Sequence, residues 1–348
     1  MDTIETLANE VLDGAFSLKA SDIHIVPRKK DAVVQLRVGK DLINADRITK
    51  EQCEKLISHF KFLAAMDIGE KRKPQNGALV LETAHGLMSL RMSTLPTINS
   101  ESLVIRIHPQ NKVQPLSQLS LFPSSAKTLL SFMNHSHGLI IFTGPTGSGK
   151  TTTLYSLLET AREKFNRSIV TLEDPIEKRN DEMLQIQINE KAGITYAAGL
   201  KAILRHDPDI ILVGEIRDEE TAKAAVRASL TGHLVLTTLH TKDAKGAILR
   251  LIDFNISIQE IEQSLLAVAA QRLVELQCPF CKEKCSLLCK KLRKAHRLSV
   301  YELLYGHSLR EVIKEAKGEP AAYQYVTLEK VLKKGYALGY IKEDDICV

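Results

Sequence analysis

What the chain lacks narrows its class first. Across 348 residues there is no apolar run of about 18, the length a helix needs to cross a bilayer. The opening MDTIETLANEVLDGAF is acidic and lacks a basic region followed by an apolar core, which excludes a secretory signal. No internal repeat and no low-complexity tract appears. Basic residues are too thinly spread for a dedicated nucleic-acid binder, the net charge being only +5. That mild excess suits a surface touching anionic lipid or an acidic partner, and equally a solvated one. Cysteine is scarce outside one place: four of the six crowd between Cys278 and Cys289. Without an export signal, disulfides give way to metal ligands or plain thiols, and the expected setting is cytosolic.

What is present is an ordinary globular composition, 44% apolar and 26% charged, with room for two or three domains. Residues 1–110 mix short β-like runs (DIHIVP, AVVQLRV, GALVLE, LMSLRMS, SLVIRIH) with one helical stretch near 49–66, a small α+β domain. Residues 111–120, with proline nearby and little periodicity, are expected to be a linker. From 121 to 276 the runs GLIIFTG, SIVTLEDP, DIILVGE and HLVLTTLH alternate with helical segments. Such unalternating apolar runs predict strands buried on both faces of a parallel sheet, hence an open α/β domain. Residues 277–348, rich in Lys and Leu, are expected to form a mostly helical tail carrying the cysteines.

The run Gly144-Pro145-Thr146-Gly147-Ser148-Gly149-Lys150-Thr151 fits the phosphate-loop pattern G-x-x-x-x-G-K-[ST], with Thr152 following. Glycines let the backbone curl so that successive N–H groups face phosphate oxygens. Lys150 is expected on the β- and γ-phosphates of ATP and the Thr151 hydroxyl on Mg²⁺. A buried strand precedes the loop and a helix follows, so phosphate would sit at a helix N-terminus.

Ligands of open α/β sheets collect at the carboxyl ends of strands. Two acidic strand ends therefore matter: TLEDPIE, with Glu173, Asp174 and Glu177, and ILVGEIRD, with Glu215. A carboxylate there either serves Mg²⁺ or the attacking water, or merely caps the following helix, as Asp218–Glu220 are placed to do. His233 and His240 bracket the run LVLTTL. At an offset of seven they face opposite sides of a strand and do not form one metal site. His240, at the carboxyl end, is a candidate γ-phosphate sensor and equally a plain surface histidine.

Taken together, GPTGSGKTT, TLEDPIE, ILRHDPDIILVGEIRD, TGHLVLTTLHT and QRLV (271–274) resemble the secretion, or traffic, ATPases of type II secretion and type IV pili, the GspE/PulE-like family. The likeness is dense over 137–276 and thinner through ASDIHIVP, EKRKPQNGAL and LRMSTLPTINSESLVIRI. It implies a RecA-like P-loop domain behind a PAS-like N-terminal domain, assembled as a homo-hexamer. By resemblance, Glu177 is the general base and Glu215 the Mg²⁺-associated acid. His233 and His240 form a histidine box, while Arg91 and Arg106 reach the γ-phosphate. The role of Arg217 stays open. The implied partner is a polytopic membrane platform protein met on the cytoplasmic face, without direct nucleic-acid binding.

The short N-terminal side together with STLPT…ESLVIRI and CPFC points to the competence-pseudopilus branch, which serves DNA uptake. The rival readings are a generic type II secretion or pilus motor, a RecA-like nucleic-acid motor, and a non-hydrolysing scaffold. Departures concentrate in the N-terminal domain. The family's R-x-R-x-D-G stands here as Gln35-Leu36-Arg37-Val38-Gly39-Lys40, PQDGR as Pro74-Gln75-Asn76-Gly77-Ala78, and Ser100 replaces a glycine before Glu101.

Cys278, Cys281, Cys285 and Cys289 follow C-x₂-C-x₃-C-x₃-C. Two readings stand: a Zn²⁺ site, or thiols packed as small apolar groups beside Lys282, Lys284, Lys290 and Lys291. If a helix runs from Lys282, Cys281 and Cys289 lie about 12 Å apart along it, and four ligands on one ion require that helix to break.

Overall fold

The computed structural model describes residues 3–39, 41–83, 86–109, 113–281, 289, 295–342 and 346. Cys285, Lys40, Lys282, Lys284, Lys290 and Lys291 lie outside the described residues. The chain divides into two compact units, Met1–Lys112 with Cys278–His296, and Val113–Gln277 with Arg297–Val348.

The first unit comprises α1 (Ile4–Ser17), β1 (Asp22–Pro27), β2 (Ala32–Val38), β3 (Asp41–Ile48), α2 (Lys50–Leu63), β4 (Gln75–Thr83), β5 (Gly86–Thr97) and β6 (Ser100–Pro109). Its strands form one six-stranded sheet in the order β3-β2-β1-β6-β5-β4, antiparallel throughout. One face is buried: Ile23, Ile25, Leu36, Leu90, Leu103 and Ile105 share a core with α1 and α2. Helix α1 lies outside the expected elements. Its buried residues Ala8, Val11, Leu12, Ala15 and Phe16 nevertheless recur at helical spacing and bring one face onto the sheet. A capping box of Thr49 and Gln52 starts α2.

The second unit begins with α3 (Leu116–Leu119), α4 (Pro123–Phe132), β7 (Gly138–Thr143), α5 (Lys150–Phe165), β8 (Ile169–Glu173), β9 (Leu184–Gln187) and α6 (Tyr196–Ile203). It continues with β10 (Ile210–Val213), α7 (Glu219–Leu230), β11 (Leu234–Leu239), α8 (Ala244–Asp253), α9 (Ile258–Ser264) and β12 (Leu265–Glu275). Then come β13 (Arg297–Tyr305), α10 (Gly306–Ala316) and α11 (Leu328–Ala337). The sheet order is β13-β12-β7-β11-β10-β8-β9. Every pairing is parallel except β12 with β13. All residues of β7, β8, β10 and β11 are buried, as helices on both faces require. Leu139 and Ile141 enter one core, Ile140 and Phe142 the other. This is a RecA-like α/β fold.

Two expectations need correction. Among its described residues the stretch 277–348 carries the helices α10 and α11 but also a strand that was not expected, Arg297–Tyr305, which pairs with β12 and buries Val300, Tyr301 and Leu304. Sheet pairing and burial there override the helix-favouring Lys and Leu around it. Nor is 113–120 a free linker: Leu116 is 1% exposed within the core of the second unit, and Leu121 N–H donates to the Ser299 carbonyl. A buried carboxylate also joins distant parts of this unit. Glu302 accepts from Ala244 N–H (2.9 Å) and Leu328 N–H (2.6 Å), capping α8 and α11 together.

Candidate nucleotide site

Strand β7 ends at Thr143 and α5 starts at Lys150, so the glycine-rich run turns over the carboxyl edge of the sheet. Gly144, Gly147 and Gly149 take φ of +144°, +78° and +85°. A Cβ at Gly144 would lie 2.5 Å from the Gln271 carbonyl oxygen, so shape as well as φ demands glycine there. Pro145, Thr146, Gly147 and Thr152 are exposed, and Thr151 is half-buried in the first turn of α5. Among the described residues no side chain caps that turn, which leaves its N–H groups for an anion.

Lys150 is buried, and its Nζ donates to the carbonyls of Gly144 (2.7 Å) and Pro145 (3.1 Å). Burial pulls its pKa below that of an ordinary lysine, against the opposing pull of the Glu215 and Glu177 carboxylates. Both carboxylates therefore act on the phosphate-loop lysine. The Ser148 hydroxyl is buried without a hydrogen-bond partner among the described residues. An orphaned hydroxyl, an uncapped helix start and a glycine turn fit a polyphosphate. The Thr151 hydroxyl and the Glu215 carboxylate are hard oxygen donors of the kind Mg²⁺ takes.

Glu215 follows Gly214 at the end of β10. Its carboxylate pairs with Arg217 and lies 3.4 Å from His240 Nε2, while Arg217 also reaches Asp174 at 3.3 Å. Glu173 plays a different part from its neighbours. It is buried and accepts from the Tyr155 hydroxyl (2.7 Å), the Thr171 hydroxyl (2.8 Å) and the Glu177 N–H. Burial raises its carboxyl pKa above the ordinary range. Glu173 thus pins the acidic loop, and Glu177 stands exposed beyond it.

The structure does not bring the two histidines together. His240 closes the carboxyl end of β11, whereas His233 precedes Leu234 at the amino end, with Nδ1 3.3 Å from the Ala228 carbonyl. A strand of that length separates them by roughly 20 Å.

On the first unit, Arg91 of β5 stands directly opposite Arg106 of β6. Arg106 in turn faces Asp22 of β1, which faces Arg37 of β2. Directly opposed antiparallel residues share a face, so three arginines and Asp22 form one row across the sheet. Arg106 Nε donates to Asp22 at 2.9 Å. Burial works to raise the Asp22 pKa, but hydrogen bonds from Arg106 and Ser21 outweigh it and hold the carboxyl low.

Cys278, Cys281 and Cys289 bring their sulfurs within 4.8 Å of one another. Cys281 and Cys289 are therefore not spread along a helix. Cys285 lies outside the described residues.

A model of the type II/IV secretion system protein family matches residues 1–341. The chain belongs to the type II/IV secretion system protein family. Among relatives in the family, Competence protein ComGA of Bacillus subtilis (strain 168) is 61% identical over 342 residues, 98% of this chain and 96% of that protein. Competence protein ComGA of Halalkalibacterium halodurans is 43% identical over 347 residues, 99% of this chain and 98% of that protein. Type II secretion system protein E of Pseudomonas aeruginosa is 45% identical over 278 residues, which span 80% of this chain and 55% of that protein. Of solved structures, the pilus retraction motor PilT with bound ADP superposes at a TM-score of 0.69. It is 27% identical, with 97% of this chain and 95% of that one covered. The Legionella pneumophila ATPase DotB shares the fold at a TM-score of 0.73 and 22% identity, with 97% of this chain and 93% of that one covered.

Reading the sequence missed Gln271 and Arg272 as neighbours of the loop, and Arg37 and Asp22 as members of the arginine row. The QRLV run was visible as a family mark but carried no role. Pairing of Ala270 with Thr143 is what carries Gln271 up to Gly144.

Proposed function

We propose that this chain is a Mg²⁺-dependent ATPase that powers assembly of a competence pseudopilus for DNA uptake. One observation carries the reading: a phosphate loop meets the Glu215–Arg217–His240 cluster at one sheet edge, in a chain that aligns nearly end to end with two competence proteins. The main-chain N–H groups of 144–151 and Lys150 would grip the triphosphate, with Thr152 beside them. A divalent cation held by Thr151 and, through water, by Glu215 would neutralise phosphate charge. Glu177 would orient and deprotonate the attacking water, and His240 would report on the γ-phosphate through Glu215. His233 would serve at a distance, steadying the far end of β11. Arg91 and Arg106 would act on the nucleotide of a neighbouring subunit in a hexamer, where Arg forks suit phosphate oxygens. The assembly would press on a membrane platform protein from the cytoplasmic side, with no nucleic acid bound directly. Zn²⁺ on Cys278, Cys281 and Cys289 would be structural, thiolates at this separation being suited to one ion.

The test pairs biochemistry with genetics. Purified full-length chain should release phosphate from Mg-ATP, lose that release on chelation, and lose it with Lys150→Ala. Deleting the gene in its host should abolish transformation, with the native gene restoring it and the Lys150→Ala gene failing to. Intact transformation in the deletion strain would sink the competence assignment. Loss of protein export instead would favour the secretion reading that the likeness to secretion E proteins supports. DNA-stimulated turnover would favour a nucleic-acid motor.

A further inference from the structure

The phosphate loop is wrapped around one residue. Gln271 of β12 is fully buried. Its side-chain Nε2 donates to the Ser148 carbonyl (2.8 Å) in the loop and to the Ser299 hydroxyl (2.9 Å) on β13. Its own main-chain carbonyl presses on Gly144 at the loop's start, and its amide nitrogen lies 3.0 Å from where a Gly149 Cβ would stand. Arg272 secures the same carbonyl (3.0 Å) and ties it to the Lys242 carbonyl (2.7 Å), just past His240. Beside this contact, the Tyr301 hydroxyl of β13 meets Thr153 Oγ1 in α5 at 2.9 Å. The antiparallel pair β12 and β13 therefore holds the loop at its start, at Ser148 and through the helix that follows.

Chemistry explains why an amide is needed there. The Ser148 carbonyl points inward, where only a donor satisfies it, and a phosphate-gripping loop must send its N–H groups the other way. Fixing that carbonyl fixes the flip of the peptide between Ser148 and Gly149, whose N–H is one of those that face phosphate. A single side chain with two N–H donors does this while reaching β13 as well. The cost is visible: Gln271 Oε1 is buried with no hydrogen-bond partner among the described residues. An unpaired buried acceptor is tolerated where the rest of the group has work to perform.

We propose that Gln271 is a positioning residue of the nucleotide site, setting the Ser148–Gly149 peptide before nucleotide arrives and coupling its orientation to β13. It touches neither nucleotide nor the reacting atoms. The proposal rests on the nucleotide-binding reading of the loop, and the experiment below separates the two. Gln271→Met keeps the volume and removes both donors. Its nucleotide KM and ADP dissociation constant should rise about tenfold with kcat within about twofold, the pattern of lost uniform binding. Gln271→Glu puts an acceptor against the Ser148 carbonyl, so binding should fall further, by about thirtyfold or more at pH 8. Protonating the introduced carboxyl restores one donor. Affinity relative to the native chain at the same pH should therefore recover as pH falls from about 8 to about 6, burial having raised that carboxyl's pKa. Gln271→Met should show no such pH-dependent recovery. Ser299→Ala, which spares the donor to Ser148, should raise KM by less than Gln271→Met and stands in should that variant fail to fold.

Unchanged KM in Gln271→Met, or parallel losses in KM, kcat and melting temperature with no pH recovery in Gln271→Glu, overturns the positioning role. Should Gln271→Met not fold, an unchanged KM in Ser299→Ala strikes out the coupling to β13, and a Gln271→Glu chain whose affinity does not recover on acidification overturns the positioning role itself. If the native chain itself binds no ADP, the nucleotide reading fails first, independently of any Gln271 variant.

Discussion

The two edges of the parallel sheet use similar residues in opposite ways. At the amino edge, polar groups satisfy one another. The Asp209 carboxylate accepts from Ser168 N–H (2.8 Å) and pairs with Arg167 (3.1 Å), while Gly138 N–H donates to the His233 carbonyl. At the carboxyl edge the same inventory is left under tension. Lys150 is buried on carbonyls with its pKa pulled down, Ser148 Oγ is orphaned, and Glu215 is shared between Arg217 and His240. Strand direction makes the difference, because crossover helices begin at the carboxyl edge: α6, α7 and α8 are capped there by Thr195, Asp218 and Asp243, whereas α5 starts without a side-chain cap among the described residues. Unspent polar capacity at a glycine-rich turn marks where a ligand belongs; carboxylates and amides that pair with one another mark scaffold.

That contrast is open to attack by mutation. The largest expected effect is at Lys150: Lys150→Met should lower phosphate release more than about a hundredfold. Because the folded-state pKa of Lys150 is depressed, the charged form costs stability below that pKa. The cost fades as pH rises through it towards 10.5. The substitution removes that cost but also strips the donor from the Gly144 and Pro145 carbonyls, so the melting-temperature difference between Lys150→Met and the native chain should move against the variant as buffer turns alkaline. A melting-temperature difference that does not move with pH would remove Lys150 from the strained set. Next comes Glu215→Gln, expected to cut kcat about a hundredfold while ADP affinity holds within a few fold. Equal loss of both would make Glu215 a binding group only.

The comparison is sharpest between the histidines. His240→Ala should slow turnover about tenfold, whereas His233→Ala should stay within about twofold. Comparable losses at both would show that the far edge takes part in turnover. The smallest effect belongs to Asp209→Asn. It should leave turnover unaltered and cost about 1 kcal/mol in denaturant unfolding, the worth of its lost charge-assisted bonds.

Legibility followed burial pattern. The strands GLIIFT, IVTLE, IILV and LVLTTL were readable because both faces are covered and apolar residues run unbroken. β12 hides a strand behind Ala267, Ala269 and Ala270, small residues that also read as helix, and β13 hides one in a Lys- and Leu-rich tract. The loop itself was legible from its glycines. Its brace was not, because Gln271 reaches Ser148 only through the pairing of β12 with β7, far apart in sequence. The arginine row was half legible for the same reason: Arg91 and Arg106 carry motif signals, but Arg37 joins them only through strand register. The cysteines were legible by spacing, and their closeness came from a backbone path that spacing alone does not fix.

Glu302 has a consequence for anyone shortening this chain. Its carboxyl group lies inside the protein and accepts from the first turns of two helices, α8 and α11. A stop codon ahead of Leu328 would delete one donor and strip Leu328, Val331 and Leu332 from Val300 of the same strand, a penalty in lost capping and lost apolar burial. That penalty would fall on the strand next to the Gln271 clamp. A late nonsense mutation in this gene would therefore act as a lesion of the engine, far from any residue that meets nucleotide.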